Sequence, residues 1–256
     1  MTKLYPLTKQ QQGLWVEWKR DANDISYNTC VQVEMEGNLD VDRFMSAASN
    51  AVDHFDMLRA YLVEKDLKPY LAFGEAKYEL SFTDFSNGGR ETLELRQKAI
   101  NFLDKIRLDP IPLDKFPLVN AHLVKTANDK FYFIGVVPHL ISDGVSAVMF
   151  LQSLSTCYNL GKEALKEKFS YDDTGWPQYL ELCDEKYPKD KIDEAYQYWQ
   201  ESLAVSSHQV SIGGKPCNRS SNLGLRFKFD ASLEVFGHLR KIARANKTGL
   251  FSVISA

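Results

Sequence analysis

Seven consecutive residues, Phe131-Tyr132-Phe133-Ile134-Gly135-Val136-Val137, restrict the fold more than any other stretch of this chain. Side chains of a strand alternate between two faces, so a run that is apolar throughout predicts a central strand covered on both sides. Such a strand needs neighbours and helical cover, and the flanking sequence offers both. Val31, Val33 and Met35 alternate with Gln32, Glu34 and Glu36, which predicts a half-buried strand ending at Gly37-Asn38. Asp40 is placed to cap a helix in which Phe44, Ala48, Ala51 and Phe55 recur at three- and four-residue spacing, one apolar stripe against a sheet.

The remaining elements follow the same periodicities. Thr8-Lys9-Gln10-Gln11 has the form of a capping box and predicts a short helix carrying Leu14 and Trp15. Strands are expected at Leu58 to Val63, around Tyr78, Leu80 and Phe82, and at Leu118 to Lys125. A helix is expected from Glu91 to Ile106, stopped by Asp109-Pro110-Ile111-Pro112 because proline cannot donate and disfavours helix before it. Beyond Gly144 a helix uses Val145, Val148, Met149 and Leu151, and two further helices cover about Trp176 to Tyr187 and Lys191 to Leu203. Residues 206–222 are rich in Ser, Gly, Pro and Asn and read as a linker. A new unit then begins, with alternating Leu223, Leu225, Phe227 and Phe229, a helix from Ser232 to Asn246, and another that Thr248 could cap. That last helix carries no stop signal before Ala256, so the sequence is expected to continue.

Composition excludes several functions. Thirty-one Lys and Arg against 34 Asp and Glu leave a net charge of −3, which gives no electrostatic reason to expect nucleic acid or an anionic membrane. The opening Met-Thr-Lys-Leu-Tyr-Pro lacks the apolar core of a signal peptide, and no run of about 18 apolar residues could span a bilayer. Cys30, Cys157, Cys183 and Cys217 are scattered, with no spacing that suggests zinc or a disulfide framework, so thiols in a reducing cytoplasm are expected. The Asn218-Arg219-Ser220 sequon is then accidental. No phosphate loop, metal cluster or dinucleotide fingerprint appears.

Chemistry concentrates after the central strand. The chain there reads Pro138-His139-Leu140-Ile141-Ser142-Asp143-Gly144, and a histidine at the exit of a buried strand stands where α/β folds place reactive groups. An imidazole with an ordinary pKa of about 6.5 suits proton transfer near neutrality, although a histidine there, taken alone, more often serves structure by bonding a backbone carbonyl. His54, His122, His208 and His238 lie in no comparable context and read as structural or solvated. The aromatic group Trp176, Tyr179, Tyr196, Tyr198 and Trp199 reads as packing.

The segment Val137 to Ser146 resembles the His-His-x-x-x-Asp-Gly core of the condensation domains of nonribosomal peptide synthetases. Three other segments match in the family's order. Leu7 to Trp15 is similar to its opening Ser-x-Ala-Gln-x-Arg-Leu-Trp motif, His54-Phe55-Asp56-Met57-Leu58-Arg59 to His-Glu-x-Leu-Arg, and Tyr198-Trp199 to a downstream Tyr-Trp pair. A Tyr-x-Asp-Tyr-type motif aligns only loosely, either at Tyr171 to Trp176 or around Tyr179.

The resemblance implies an α/β fold (an α+β sandwich): a chloramphenicol acetyltransferase-like lobe of mixed β-sheet flanked by helices, followed by a second similar lobe, with the reaction channel between the two. Residues 1–205 would be the N-terminal lobe, 206–222 a linker and 223–256 the truncated start of the C-terminal lobe. The implied reaction is amide formation between a donor acyl or peptidyl thioester and the amine of an acceptor aminoacyl thioester. Both substrates ride on 4′-phosphopantetheine arms of peptidyl carrier proteins, with an adenylation domain adjacent and no cofactor or metal bound by the chain itself. His139 and Gly144 would be the catalytic residues. His139 would take a proton or hydrogen-bond the amine and tetrahedral intermediate, and the Gly144 amide would face the developing oxyanion. Asp143 would support the loop through a salt bridge, and Arg59 would be either a surface charge or an ion-pair partner in the lobe core.

Two positions depart from the pattern. Pro138 replaces the first histidine, and Asp53 stands where the second motif carries arginine. Two further readings stay open: a degenerate domain that only docks a carrier or partner enzyme, and a stand-alone acyltransferase of the same superfamily. On the condensation reading these 256 residues alone would not catalyse.

Overall fold

The computed structural model describes residues 3–75, 77–169, 175–204 and 230–255. Its contacts divide the chain into two compact units, Met1–Arg219 and Ser220–Ala256.

In the first unit, a short strand β1 (Tyr5–Pro6) leads to helix α1 (Lys9–Arg20). The Thr8 capping box forms as the sequence predicts, with Gln11 N donating to Thr8 Oγ1 at 3.3 Å and Thr8 N donating to Gln11 Oε1 at 3.0 Å. Strand β2 (Asn28–Glu36) precedes α2 (Val41–His54), whose N-cap Asp40 accepts from Arg43 N at 3.0 Å. A 3-10 turn at Asp56–Arg59 then enters a hairpin, β3 (Ala60–Lys65) and β4 (Lys68–Phe73). Strand β5 (Ser81–Asp84), α3 (Leu93–Arg107), β6 (Asn120–Ala127) and β7 (Lys130–Pro138) follow, and α4 (Gly144–Leu160) closes the core. Helices α5 (Glu163–Lys168), α6 (Gly175–Lys186) and α7 (Lys189–Ala204) end the described part of this unit.

The strands form two sheets, β1-β4-β3 and β2-β7-β6-β5. The larger sheet is mixed, since β5 runs parallel to β6 while β6 and β2 pair antiparallel with β7. The expected central strand is β7: it has a partner on each edge, and Phe131 to Val136 are all buried. Alternation assigns its cover. Phe133 meets Phe44 of α2 edge-on at 5.7 Å and stacks near Phe150 of α4 at 6.3 Å. On the opposite face, the β6 residue His122 packs edge-on against Phe102 of α3 at 4.8 Å, so α2 and α4 cover one side and α3 the other.

Several expectations shift. Tyr78 and Leu80 are buried, yet the strand begins only at Ser81: the Tyr78 hydroxyl accepts from Ala121 N at 3.1 Å, and Ser49 Oγ donates to Tyr78 O, so side chains satisfy this backbone in place of a ladder. Burial pushes the Tyr78 phenol up to about 12. The aromatic residues Tyr196, Tyr198 and Trp199 of α7 are exposed instead of packed, because no residue of that helix is buried. Cys30 is exposed and Cys157 buried, with no disulfide among the described residues.

The second unit, described from residue 230, holds the expected helix as α8 (Leu233–Ala245), capped by Ser232, and α9 (Leu250–Ser255). The expected linker at 206–222, the strand at 223–229, His208 and Cys217 lie outside the described residues. Among the described residues no helix is long and apolar enough to cross a membrane.

Candidate active site

Five residues, 139–143, connect the end of the central strand to α4, and this loop is fastened from four sides. His139 N donates to Tyr27 O at 2.7 Å, which ties the strand exit to the segment before β2. Ser142 Oγ and Ile141 N both donate to Pro138 O, at 3.1 Å each, closing a tight turn. Leu140 and Ile141 are buried in the main core. From α1, the buried Gln11 donates its Nε2 to Leu140 O at 2.9 Å, across 129 residues of sequence. Gln11 thus uses one side of its amide to cap its own helix and the other to hold the loop. The opening motif pointed to the cap but not to the loop, because a bond between such distant residues leaves no local spacing to read.

On this fixed backbone the His139 side chain is exposed and takes no hydrogen bond among the described residues. Asp143 is the N-cap of α4. Its carboxylate accepts from Ser146 N at 2.8 Å and Ser146 Oγ at 2.7 Å, and Ser146 Oγ in turn accepts from Asp143 N at 3.2 Å. Those Ser146 hydrogen bonds, with a smaller contribution from the His139 charge, hold the Asp143 carboxyl below the usual carboxylate value. The expected salt bridge is therefore replaced: Asp143 supports the loop as a helix cap, and no ion pair to it forms among the described residues.

Gly144 begins the 17-residue α4. A Cβ built there would meet no atom within 4 Å, so the approach to its backbone is open. No described residue takes up the Gly144 amide, which stands at the positive end of the helix. Exposed imidazole and open amide thus lie five residues apart, at the two ends of one fastened loop. A base and an amide donor are the two groups that a carbonyl gaining negative charge would call on.

Arg59 is not part of this group. Its guanidinium pairs with Asp56 within the 3-10 turn, while its Nε is buried without a partner among the described residues. The lobe-core pairing is thus a local one. Asp53 accepts from Tyr78 N at 3.4 Å, so the acid found in place of arginine fastens the segment before β5. Pro138 is buried and sits opposite Asn28 in the ladder, at the strand edge of the loop. Two of the other histidines are structural: His54 Nε2 lies 3.0 Å from Phe169 O, and His122 Nε2 lies 2.8 Å from Thr83 Oγ1, with burial pushing its pKa down, while His238 is exposed. Among the described residues no three His, Cys, Asp or Glu side chains converge as metal ligands would.

The comparisons with known proteins bear on the family and the fold. The profile of the condensation domain family matches residues 1–256. Bacitracin synthase 3 of Bacillus licheniformis is 26% identical over 98% of this chain, and surfactin synthase subunit 2 of Bacillus subtilis is 28% identical over 82%. The chain spans only 4% and 5% of those two synthases. The first condensation domain of the calcium-dependent antibiotic synthetase superposes with a TM-score of 0.76 at 20% identity, over 97% of this chain and 58% of that one. The starter condensation domain of rhizomide synthetase gives 0.69 at 19% identity, over 84% and 48%. With the family profile matched end to end and the fold shared with solved members, this chain belongs to the condensation domain family.

Proposed function

We propose that this chain is the N-terminal part of a catalytic condensation domain, one that joins a donor acyl or peptidyl thioester to the amine of an acceptor aminoacyl thioester. Residues 1–205 would be its first lobe, 206–222 the linker and 223–256 the beginning of the second. The observation that carries the reading is the pairing at the fastened loop: an exposed His139 with no competing hydrogen bond among the described residues, and an open Gly144 amide at the start of α4. Both substrates would arrive on the 4′-phosphopantetheine arms of peptidyl carrier proteins in a cytoplasmic synthetase that also holds an adenylation domain.

The chemistry asked of the protein is modest. A thioester is already activated, and an α-amine with an ordinary pKa of about 7.7 to 8.0 is partly neutral in the cell. Holding amine and thioester together supplies effective molarities of about 10⁵ M or more. His139 receives the proton that the nitrogen loses as the C–N bond forms. The carbonyl oxygen gains charge opposite the Gly144 amide, and collapse of the tetrahedral intermediate expels the pantetheine thiolate. General base catalysis of this kind contributes about 10² to 10⁴ fold. Asp143 orients the loop through its cap, and Arg59 supports the turn that leads into β3.

The replacements at Pro138 and Asp53 do not favour a docking-only domain. Asp53 accepts from Tyr78 N, Pro138 is buried at the end of the β7 ladder, and the loop backbone is held by Tyr27, Gln11 and Ser142. The test is direct. The intact synthetase that carries this chain is supplied with a loaded donor carrier and a loaded acceptor carrier, and the acceptor-bound product is read by mass spectrometry. The amide product is expected, and persistent absence of product with both carriers fully loaded would contradict the reading.

A further inference from the structure

Helix α4 packs on the core with Phe150, Leu154 and Cys157 and turns a second stripe away from it: Val145, Val148, Gln152, Ser155 and Asn159, at alternating three- and four-residue spacing. All five are exposed. Three are polar, as an outward stripe should be, and the two valines stand only at the end beside Gly144. They are 66% and 54% exposed, an adjacent pair instead of a lone surface residue. Covering a valine side chain is favourable, so a pair left open next to a free backbone donor is placed for an apolar group. The amides of the first turn fix that donor. Those of Val145 and Ser146 bond to the Asp143 carboxylate and that of Ala147 to Asp143 O at 3.1 Å, which leaves Gly144 N as the one of these four with no acceptor among the described residues.

We infer that Val145 and Val148 form the subsite for an aliphatic side chain on the carbon next to the donor thioester carbonyl, and that they select such donors over polar ones of the same shape. The inference deepens the condensation reading and rests on it. A carbonyl oxygen held by the Gly144 amide sits about 2.9 Å from the nitrogen. Residues four apart on a helix carry their Cβ positions about 6 Å apart, and helical side chains tilt toward the N-terminus, so Val148 leans over Gly144. The first carbons attached to that carbonyl are then within about 4.5 Å of the Val148 methyl groups, which is contact distance, and Val145 extends the same surface. A hydroxyl in that place gives up water and gains no acceptor from either valine, which disfavours it about tenfold against a methyl group of the same shape.

In the intact synthetase the donor carrier is loaded in turn with N-acetylvalyl and N-acetylthreonyl groups, which differ by a methyl against a hydroxyl, while the acceptor carrier holds the amino acid that the synthetase itself loads. Single-turnover rates of wild type should favour the valyl donor about tenfold. Val148→Thr should bring that ratio close to one, and Val148→Ile should keep it. Both variants should melt with wild type, because the side chain they change is exposed. A second arm needs no turnover. In the full chain labelled with ¹³C-methyl valine, the Val148 methyl resonances are assigned by their loss in Val148→Ile. They should move on titration with S-(N-acetylvalyl)-N-acetylcysteamine and need about tenfold more of the threonyl analogue. Equal rates for the two donors in wild type, a ratio that Val148→Thr leaves unchanged, or Val148 methyls unmoved by the valyl analogue would each overturn the subsite. So would a preference that follows valyl against threonyl on the acceptor carrier and not on the donor. Methyl shifts without amide product would fail the condensation reading alone, and product with a ratio untouched by Val148→Thr would fail the subsite alone.

Discussion

Gly144 occupies the first turn of α4, where alanine is the better helix former and an added Cβ would meet no atom within 4 Å. Gly144→Ala should therefore leave the fold as stable as wild type or raise it by up to about 1 kcal/mol, as a melt would show. In the intact synthetase the same change should slow condensation by about 10²-fold, because the methyl group stands where a carbonyl must come close to the backbone. An equal rate would remove Gly144 from the reaction. Asp143 separates from it by pH. Its folded pKa is depressed by the Ser146 hydrogen bonds, so its stabilising effect is present above the unfolded value, 3.8, and is lost as pH falls through the folded one. Asp143→Asn, which still caps, should be slightly less stable than wild type at pH 7, and the two melting curves should converge in acid below that value. Of these residues the sequence placed His139, Asp143 and Gly144 on one loop through strand exit, cap and helix start. It could not show that Asp143 is occupied by Ser146 or that Arg59 turns to Asp56, since both choices depend on rotamers that no periodicity records.

Elements were legible in proportion to their periodicity. Strands β2 and β7 and helices α2 and α4 follow from alternation or helical spacing of apolar residues, and each lies close to its expected place. The β3–β4 hairpin was only half visible. Its turn residues Asp66 and Leu67 have φ of 52° and 59°, a left-handed pair that turn chemistry normally announces with Asn-Gly. Leucine there is strained and the residue is 85% exposed, so Leu67→Gly should raise stability by about 1 kcal/mol in chemical denaturation. The bond from α1 to the loop is the other case where tertiary geometry outruns the sequence. Gln11→Leu leaves the Leu140 carbonyl buried without its donor, which should cost about 1 to 3 kcal/mol. Hydrogen exchange at Ile141 N, whose bond to Pro138 O closes the turn, should quicken in that variant while β6 and β7 keep their protection. Unchanged exchange at Ile141 would mean that Tyr27 and Ser142 hold the loop without α1.

At the scale of the whole molecule, the chain spans 58% of one solved condensation domain and 48% of another, and the proposed reading assigns it a first lobe and the opening elements of a second. The central claim is narrower than that architecture: amide formation passes through the His139 side chain. The most direct measurement is a single-turnover comparison of wild type and His139→Ala in the intact synthetase, both carriers loaded, with the acceptor-bound product followed in time. The imidazole makes no hydrogen bond among the described residues, so its removal should leave the melting temperature unchanged while the rate falls by about 10² to 10⁴ fold. Equal rates from the two proteins would contradict the account.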